Sequence, residues 1–368
     1  HVRSRRQRQM CIRDRFITRY YGEMLGGTMC SQRNIDSLKE IYDNVYEYRI
    51  TDKNGFRFYI SRIAQLCHGY MGGIDYKDIQ SIKKIIQKYH CQTVFIDSSL
   101  LGKLAPILRH TFNKIKIHVF FHNCEYEYIK SIYHGLKQYL YANWTFKGER
   151  DACKYADKII VLNQRDAALI RAHYKREADA YIPISLKDQT EHIISPIPFD
   201  NEIPYILFIG SYFPPNVQGI KWFIKEVLPY INSPLLIIGR HMEQLSIPST
   251  LQQKVKILCN VENLTPYYQK ALCMVMPIFI GGGMKVKTAE ALMHGKTIVG
   301  TKEAFEGYET NTPGIFFECH DKNEFINAIN KSLSQKHLYN ADSRELFLKK
   351  YSFKATLKQF KELSSPTN

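Results

Sequence analysis

This 368-residue sequence is short of several things, and each shortage removes a class of explanation. It has no run of about 18 apolar residues, the length a bilayer-spanning helix needs, and its first residues have no apolar core of a secretory leader. The nine cysteines are scattered, without a CxxC pair or a histidine cluster at metal-ligand spacing. Scattered cysteines in a long chain suit small buried side chains in a reducing compartment, so a cytoplasmic location is expected. No internal repeat or low-complexity tract is present. Acids are also scarce: 35 Asp and Glu stand against 51 Lys and Arg, a net charge of +16.

Part of that charge is local. Residues 1–15, HVRSRRQRQMCIRDR, hold six arginines and one aspartate, and the chain starts at His. This stretch reads as a sequence artefact or disordered basic scar, with the first strand truncated and beginning at Phe16. The remainder is still basic enough to suit an anionic partner or a membrane surface.

What the sequence does have is alternation. TVFID (Thr93 to Asp97), IKIHVFF (Ile115 to Phe121) and KIIVL (Lys158 to Leu162) are short apolar runs, each followed by a helical stretch. YILFIG, PLLIIG, VKIL, CMVMPI, KTIVG and GIFF repeat the theme between Tyr205 and Phe317. Uniformly apolar strands separated by helices indicate parallel sheets covered on both faces. Two such sets predict an α/β protein of two doubly wound, Rossmann-like domains facing a cleft. The polar, proline-bearing stretch Ile184 to Pro204 separates them. The expected division is an N-terminal domain over 16–190, a linker over 191–203, a C-terminal domain over 204–350, and a last helix over 351–368 that crosses back to the N-terminal domain.

The segment with most chemistry is GGGMKVKTAEALMHGKTIVGT (Gly281 to Thr301). Gly281, Gly282 and Gly283 follow the strand CMVMPI and precede a helix expected to begin near Met284. Glycines at a strand-to-helix turn expose backbone N–H groups, and the positive end of the helix dipole favours a phosphate there. Lys287, Glu290 and His294 share one stripe of that helix, opposite Val286, Ala289, Leu292 and Met293. Helical side chains lean toward the N-terminus, which brings Lys287 within reach of a phosphate and Glu290 within reach of ribose hydroxyls. The same pattern fits a solvated helix face behind a flexible loop. Gly295 is expected to end the helix.

This segment resembles the donor-binding motif of GT-B glycosyltransferases, in particular glycosyltransferase family 4, where a glycine-rich loop precedes K-x-x-E-A. ILFIGSYFPPNVQGIKWFIKEVLPYI (Ile206 to Ile231), LCNVENLTPYYQKALCMVMPI (Leu258 to Ile278) and GTKEAFEGY (Gly300 to Tyr308) resemble the family's flanking pieces in order and spacing. The resemblance implies that Glu290 binds the donor ribose as the second glutamate of an E-x7-E pattern. Gly282 stands where the first glutamate often is, so the sugar is not readable. Ser211 stands where many relatives carry arginine. Phosphate neutralisation then falls on Lys287, Lys285 and the backbone N–H groups of Gly283 and Met284, with Gly210, Ser211 and Asn216 as further donor contacts.

In the N-terminal domain, GEMLGGTMCSQRN places Gly26 and Gly27 before a helix, where the family has a glycine pair near the donor diphosphate and the acceptor; an ordinary loop reads equally well. His122, in VFFHNCEYEY, ends a strand and resembles the family's histidine beside the transferring sugar, against the plain alternative of a structural histidine. Glu125 and Glu127 fit a helix start, and Asn163 an N-cap. The stretch Tyr128 to Lys158 mixes aromatic and aliphatic residues with lysines. It reads as a solvated face or as a contact with an anionic membrane carrying a lipid-linked acceptor.

The resemblance thus implies a transferase that moves a sugar from a nucleoside-diphosphate sugar to an acceptor hydroxyl of a glycan or lipid-linked molecule. It implies retention of configuration and no cofactor or bound metal. The alternatives are a nucleotide-sugar epimerase of similar architecture and a non-enzymatic basic binding protein. The second has only charge behind it, without a nucleic-acid-binding motif.

Overall fold

A computed structural model of the chain describes residues 13–19, 26–50, 66, 69–190, 205–335 and 338–364. The chain divides into two compact units: unit one is residues 1–183 with 357–368, and unit two is residues 184–356. The linker expected at 191–203 and residues 1–12 of the arginine-rich start lie outside the described residues.

Unit one is built on six parallel strands: β1 (Arg13–Arg19), β2 (Asn44–Ile50), β3 (Thr93–Ile96), β4 (Lys116–Phe121), β5 (Lys158–Val161) and β6 (Ala180–Tyr181). Their order across the sheet is β2-β1-β3-β4-β5-β6. β1 begins inside the arginine-rich stretch, with Arg13, Asp14 and Arg15 in register with Asn44, Val45 and Tyr46 of β2. Among the described residues the longer helices are α1 (Gly26–Ile41), α2 (Tyr76–Tyr89), α3 (Leu104–Thr111), α4 (Glu125–Ile132), α5 (Gly135–Tyr155) and α6 (Gln164–Tyr174). Every residue of β3 is buried, because helices cover both faces of the sheet and leave no polar side. Capping sets where two helices start. At α2 the Asp75 carboxylate accepts from the Asp78 N–H and the Asp78 carboxylate accepts from the Asp75 N–H, a reciprocal pair that satisfies two otherwise orphaned donors. At α6 Asn163 is the expected N-cap, accepting from the Asp166 N–H at 2.9 Å.

Unit two has its own sheet of β7 (Tyr205–Ile209), β8 (Leu235–Ile238), β9 (Val255–Leu258), β10 (Ala271–Met276), β11 (Ile298–Gly300) and β12 (Phe316–Glu318). All are parallel, in the order β12-β11-β10-β7-β8-β9. Its helices are α7 (Pro214–Glu226), α8 (Thr265–Lys270), α9 (Val286–Met293), α10 (Lys322–Gln335) and α11 (Ala341–Leu346). Proline at the first turn of α7 suits a position whose N–H has no helical partner. Farther along α7, a Cβ on Gly219 would lie 1.7 Å from the Pro277 carbonyl oxygen, so only glycine lets the helix approach the end of β10. The last helix, α12 (Phe353–Ser364), belongs from Leu357 onward to unit one. There the buried Phe360 ring lies 6.4 Å from that of Phe95, and Lys158 Nζ donates to the Leu363 carbonyl at 2.8 Å.

Each apolar run named from the sequence is a strand, and the chain has two doubly wound α/β units. In each sheet the strand order reverses once: between β1 and β3 in unit one, and between β7 and β10 in unit two. Open parallel sheets bind ligands outside the strand ends at such a switch point. Among the described residues no helix is long and apolar enough to cross a membrane.

Candidate functional site

At the switch point of unit two, one wall is the loop after β7. A Cβ on Gly239 would lie 1.8 Å from the Gly210 carbonyl oxygen, so the loops after β7 and β8 touch backbone to backbone. The other wall is the glycine turn after β10. Gly283 has φ +56°, left-handed backbone that glycine adopts without strain. Lys285 braces this turn. Its Nζ donates to Glu303 Oε1 at 2.7 Å and to the carbonyls of Gly283 and Gly282 at 3.0 and 3.3 Å, while Tyr308 Oη donates to the Lys285 carbonyl at 2.7 Å. Helix α9 therefore begins at Val286, two residues later than expected, with Lys285 at the N-cap in extended backbone. Lysine has no acceptor with which to cap a helix, and its ammonium satisfies the turn's carbonyls instead. Met284 is buried, its sulfur 3.5 Å from the Ile184 backbone nitrogen.

Lys287 reaches back across the switch point. Its Nζ donates to Asn216 Oδ1 at 2.8 Å, and Asn216 Nδ2 donates to the Ser211 carbonyl at 3.0 Å. The same ammonium lies 5.0 Å from the centre of the Phe208 ring, and a Cβ on Gly210 would lie 3.1 Å from it. The structure thus gathers Gly210, Ser211, Asn216 and Lys287 at one point. Burial, then the neighbouring Lys285 charge, push the Lys287 amine down to about 7, with Glu290 opposing.

One turn on, burial pushes the Glu290 carboxyl up, partly offset by Lys287 and by Tyr268, whose hydroxyl donates to Glu290 Oε2 at 3.4 Å. The Tyr268 ring stacks on His294, with centroids 4.3 Å apart and planes at 13°. His294 is buried, and burial with the charges of Lys296 and Arg344 holds it down at about 4. The stripe Lys287, Glu290, His294 is therefore packed rather than a solvated face. Gly295, at φ +60°, ends the helix as expected. Two residues here escaped the sequence reading. Tyr268 orients Glu290. Lys296 is fully buried, and its Nζ donates to the carbonyls of Ala271 at 2.9 Å, Gln269 at 3.3 Å and Leu338. Chemically, the site offers a helix N-terminus and an ammonium for an anion, with a carboxylate beside them to accept from hydroxyls.

At the switch point of unit one the side chains come from several elements. His122 follows β4, and its Nε2 lies 2.8 Å from the Asp97 carbonyl oxygen and 3.5 Å from Asp97 Oδ2. A carbonyl only accepts, so Nε2 carries the proton. Asp97, just beyond β3, accepts from Asn34 Nδ2 at 2.6 Å and from Thr18 Oγ1 at 3.1 Å. Asn34 belongs to α1, the helix that Gly26 and Gly27 open. Gly27 is exposed, and an added Cβ there would meet nothing within 4 Å. The residues before Gly26 in that loop lie outside the described residues. Also on α1, Arg33 donates to the Cys30 sulfur at 3.3 Å and to the Pro183 carbonyl at 2.8 Å. Its guanidinium lies over the rings of Phe360 and Phe120 at 5.3 and 5.7 Å.

The acids after His122 have structural partners: Glu125 accepts from Asn123 Nδ2 at 2.9 Å, and Glu127 lies 2.8 Å from His173 Nε2. The buried Glu149 of α5, which the sequence did not single out, caps α4. It accepts from the N–H groups of Glu125 and Tyr126 at 2.8 and 3.2 Å and from Tyr174 Oη at 2.7 Å.

Comparison with known proteins agrees with the fold. Residues 203–335 match the family model Glycosyl transferases group 1, a span that includes Gly210, Ser211, Asn216, Lys287 and Glu290. An uncharacterized 44.6 kDa protein in the cps region of Klebsiella pneumoniae is 23% identical over 296 residues, 74% of this chain and 70% of the relative. Among solved structures, sucrose-phosphate synthase from Thermosynechococcus elongatus superposes with a TM-score of 0.69 at 16% identity, covering 96% of this chain and 98% of that one. HepE of Anabaena, solved in complex with UDP, superposes with a TM-score of 0.68 at 11% identity, covering 96% and 99%. At these identities the structural likeness is one of fold, the GT-B fold of two Rossmann-like domains.

Proposed function

We propose that this chain, a glycosyltransferase with a glycosyl transferases group 1 domain on a GT-B fold, moves a sugar from a nucleoside-diphosphate sugar to an acceptor hydroxyl of a glycan or lipid-linked molecule. The observation that carries the donor half is the convergence of Lys287 Nζ, Asn216, Ser211 and Gly210 at the switch point, with Glu290 one turn away on the same helix. The diphosphate is assigned to the N–H groups of Gly283 and Met284 and to Lys287, and the ribose hydroxyls to Glu290. Lys285, committed to Glu303, keeps the turn in shape. The bound UDP of the HepE structure and the UDP-glucose of a second HepE structure support a nucleotide-sugar donor.

As the sugar leaves, negative charge grows on the diphosphate, and the helix dipole and Lys287 stabilise it more than the ground state. His122 is assigned to the reacting sugar, Gly26 and Gly27 to the acceptor side, and the outcome to retention with the leaving phosphate assisting the acceptor. The start of α5 exposes Leu136 and Tyr139 beside Lys137, whose ammonium lies 4.4 Å from the Tyr133 ring centre. This corner suits peripheral contact with an anionic membrane, where lipid-linked acceptors reside.

The test is incubation with UDP-, GDP- and ADP-glucose, with and without a pooled set of glycan and polyprenyl-phosphate acceptors. Release of nucleoside diphosphate that depends on acceptor is the expected result. Conversion of the donor without acceptor would make the protein an epimerase, and salt-sensitive nucleic-acid binding with no nucleotide affinity would make it a basic binding protein.

A further inference from the structure

We infer that Asp97 is a positioning residue for His122, and that through Asn34 the same carboxylate ties that histidine to the helix opened by Gly26 and Gly27. The inference rests on the reading of His122 as a site residue, but its evidence is separate from that reading. Asp97 is 1% exposed and sits at the strand end where the order of the sheet reverses. A carboxylate there without partners would be costly to bury, and this one is satisfied from three elements. Thr18 of β1 donates to Oδ2, Asn34 of α1 donates to Oδ1, and His122 Nε2 faces both Oδ2 and the backbone carbonyl. The Asp97 N–H is itself anchored on the Ile17 carbonyl at 2.9 Å, so the residue cannot swing away from the switch point.

Two consequences follow for the ring. Donation of Nε2–H to a fixed carbonyl sets its tautomer and its orientation. The charges around it set its proton occupancy. Burial opposes a charge on His122, but the Cys30 sulfur and the Asp97 carboxylate hold its pKa well above the ordinary histidine value. Burial likewise works to raise the Cys30 thiol, and Arg33 and His122 together bring it below the ordinary value. The groups that face the ring are thus Cys30 from α1 and Asp97 just beyond β3, with the uncharged Phe120 ring 5.0 Å away and Arg33 of α1 bonded to the Cys30 sulfur. Asp97 is the carboxylate of this set, accepting from Asn34 of α1 while facing the imidazole.

The test compares Asp97→Asn with His122→Gln in the full chain, by two readouts. The first is the pH titration of the His122 ring by NMR on histidine-labelled protein, and the second is acceptor-dependent release of nucleoside diphosphate from the glucosyl donor that proves active. Asparagine keeps an oxygen for Asn34 but presents no negative charge to Nε2. The expected result is a fall in the His122 titration midpoint by one pH unit or more. With it, kcat should drop about 10- to 100-fold while donor KM stays within about twofold, the signature of lost positioning rather than lost binding. Asn34→Ala should move the midpoint the same way by less, and it serves if Asp97→Asn does not fold. An unchanged His122 titration in both variants would overturn the inference. If His122→Gln transfers at the wild-type rate, the assignment of His122 to the reacting sugar fails, and the NMR arm still decides the role of Asp97.

Discussion

In unit two the polar groups at the strand-order reversal centre on one short stretch, Lys285 to Glu290, and the partners of its charged side chains are single residues: Asn216 in the first turn of α7, Tyr268 on α8 and Glu303 beyond β11. In unit one they come from β1, from α1, and from the ends of β3 and β4. The first arrangement is open. Lys287 and Glu290 are each only partly buried, and their side-chain partners, Asn216 and Tyr268, are uncharged. The second is closed on itself, since Asp97, Asn34, Arg33 and Cys30 are buried and bonded among themselves or to backbone. An open set of a lysine and a glutamate suits a ligand that supplies the missing charge and hydroxyls. A closed set suits the fixing of one side chain, His122, in one state.

The largest change expected on the unit-two side is from Gly239→Ala. Its Cβ would meet the Gly210 carbonyl at 1.8 Å, and neither backbone can give way without moving the loop that carries Ser211. A loss of about 1–3 kcal/mol is expected for such overpacking. Calorimetry should show the melting of unit two fall while that of unit one holds, and nucleotide binding should be lost. Equal destabilisation of both units would mean that they do not melt separately.

Lys287→Met comes next. Burial holds this amine at about 7 against 10.5 for an exposed lysine. Between those values the unfolded chain binds more protons than the folded one, so stability rises with pH, and below about 7 the full cost of burying the charge is present. The methionine variant should therefore melt higher than wild type at pH 6, with the gap closing as pH rises toward 10.5. Its nucleotide affinity should be about 10- to 100-fold weaker, the loss of one charge-assisted contact. Wild-type binding should take up a proton near neutral pH and weaken above pH 7, which calorimetry in buffers of different ionisation enthalpy reads directly. Binding without proton uptake would remove Lys287 from the diphosphate.

The contrast between the units also explains how much could be read in advance. A glycine turn followed by a helix is a local pattern, and Lys287 and Glu290 fall on one face by helical period alone. The strands were legible because both faces of a covered parallel sheet are apolar. β2 was not, since NVYEYRI alternates polar and apolar residues at a sheet edge, and β6 is only two residues long. Tyr268 lies on a six-residue helix without a readable period, and its contact with Glu290 spans 22 positions. The Asn34 to Asp97 bond spans 63 positions and joins two residue types that are common in turns, so nothing in spacing marks it. His122 itself was visible at a strand end, but its partners were not. Lys285 was visible as a cation, whereas its engagement with Glu303 depends on how the chain returns after β11.

A smaller effect separates the two glycine clusters. Gly27 lies within α1 with open space where a Cβ would go, so Gly27→Ala should leave the fold intact and stabilise it by about 0.5–1 kcal/mol through helix propensity. If the pair serves the acceptor side, transfer slows while the melting temperature holds or rises. Unchanged transfer would return Gly26 and Gly27 to the role of an ordinary helix start.

The most direct test of the central claim is nucleotide-dependent thermal stabilisation, measured with UDP, GDP, ADP and CMP on wild type and on Glu290→Ala. One nucleotide at about 100 times its Kd should stabilise wild type by about 2.7 kcal/mol. The alanine variant should need a 10- to 100-fold higher concentration for the same shift, the loss of about 1.5–3 kcal/mol in hydrogen bonds to a charged group. Equal stabilisation of the two proteins at every concentration would contradict the placement of the nucleotide at the glycine turn.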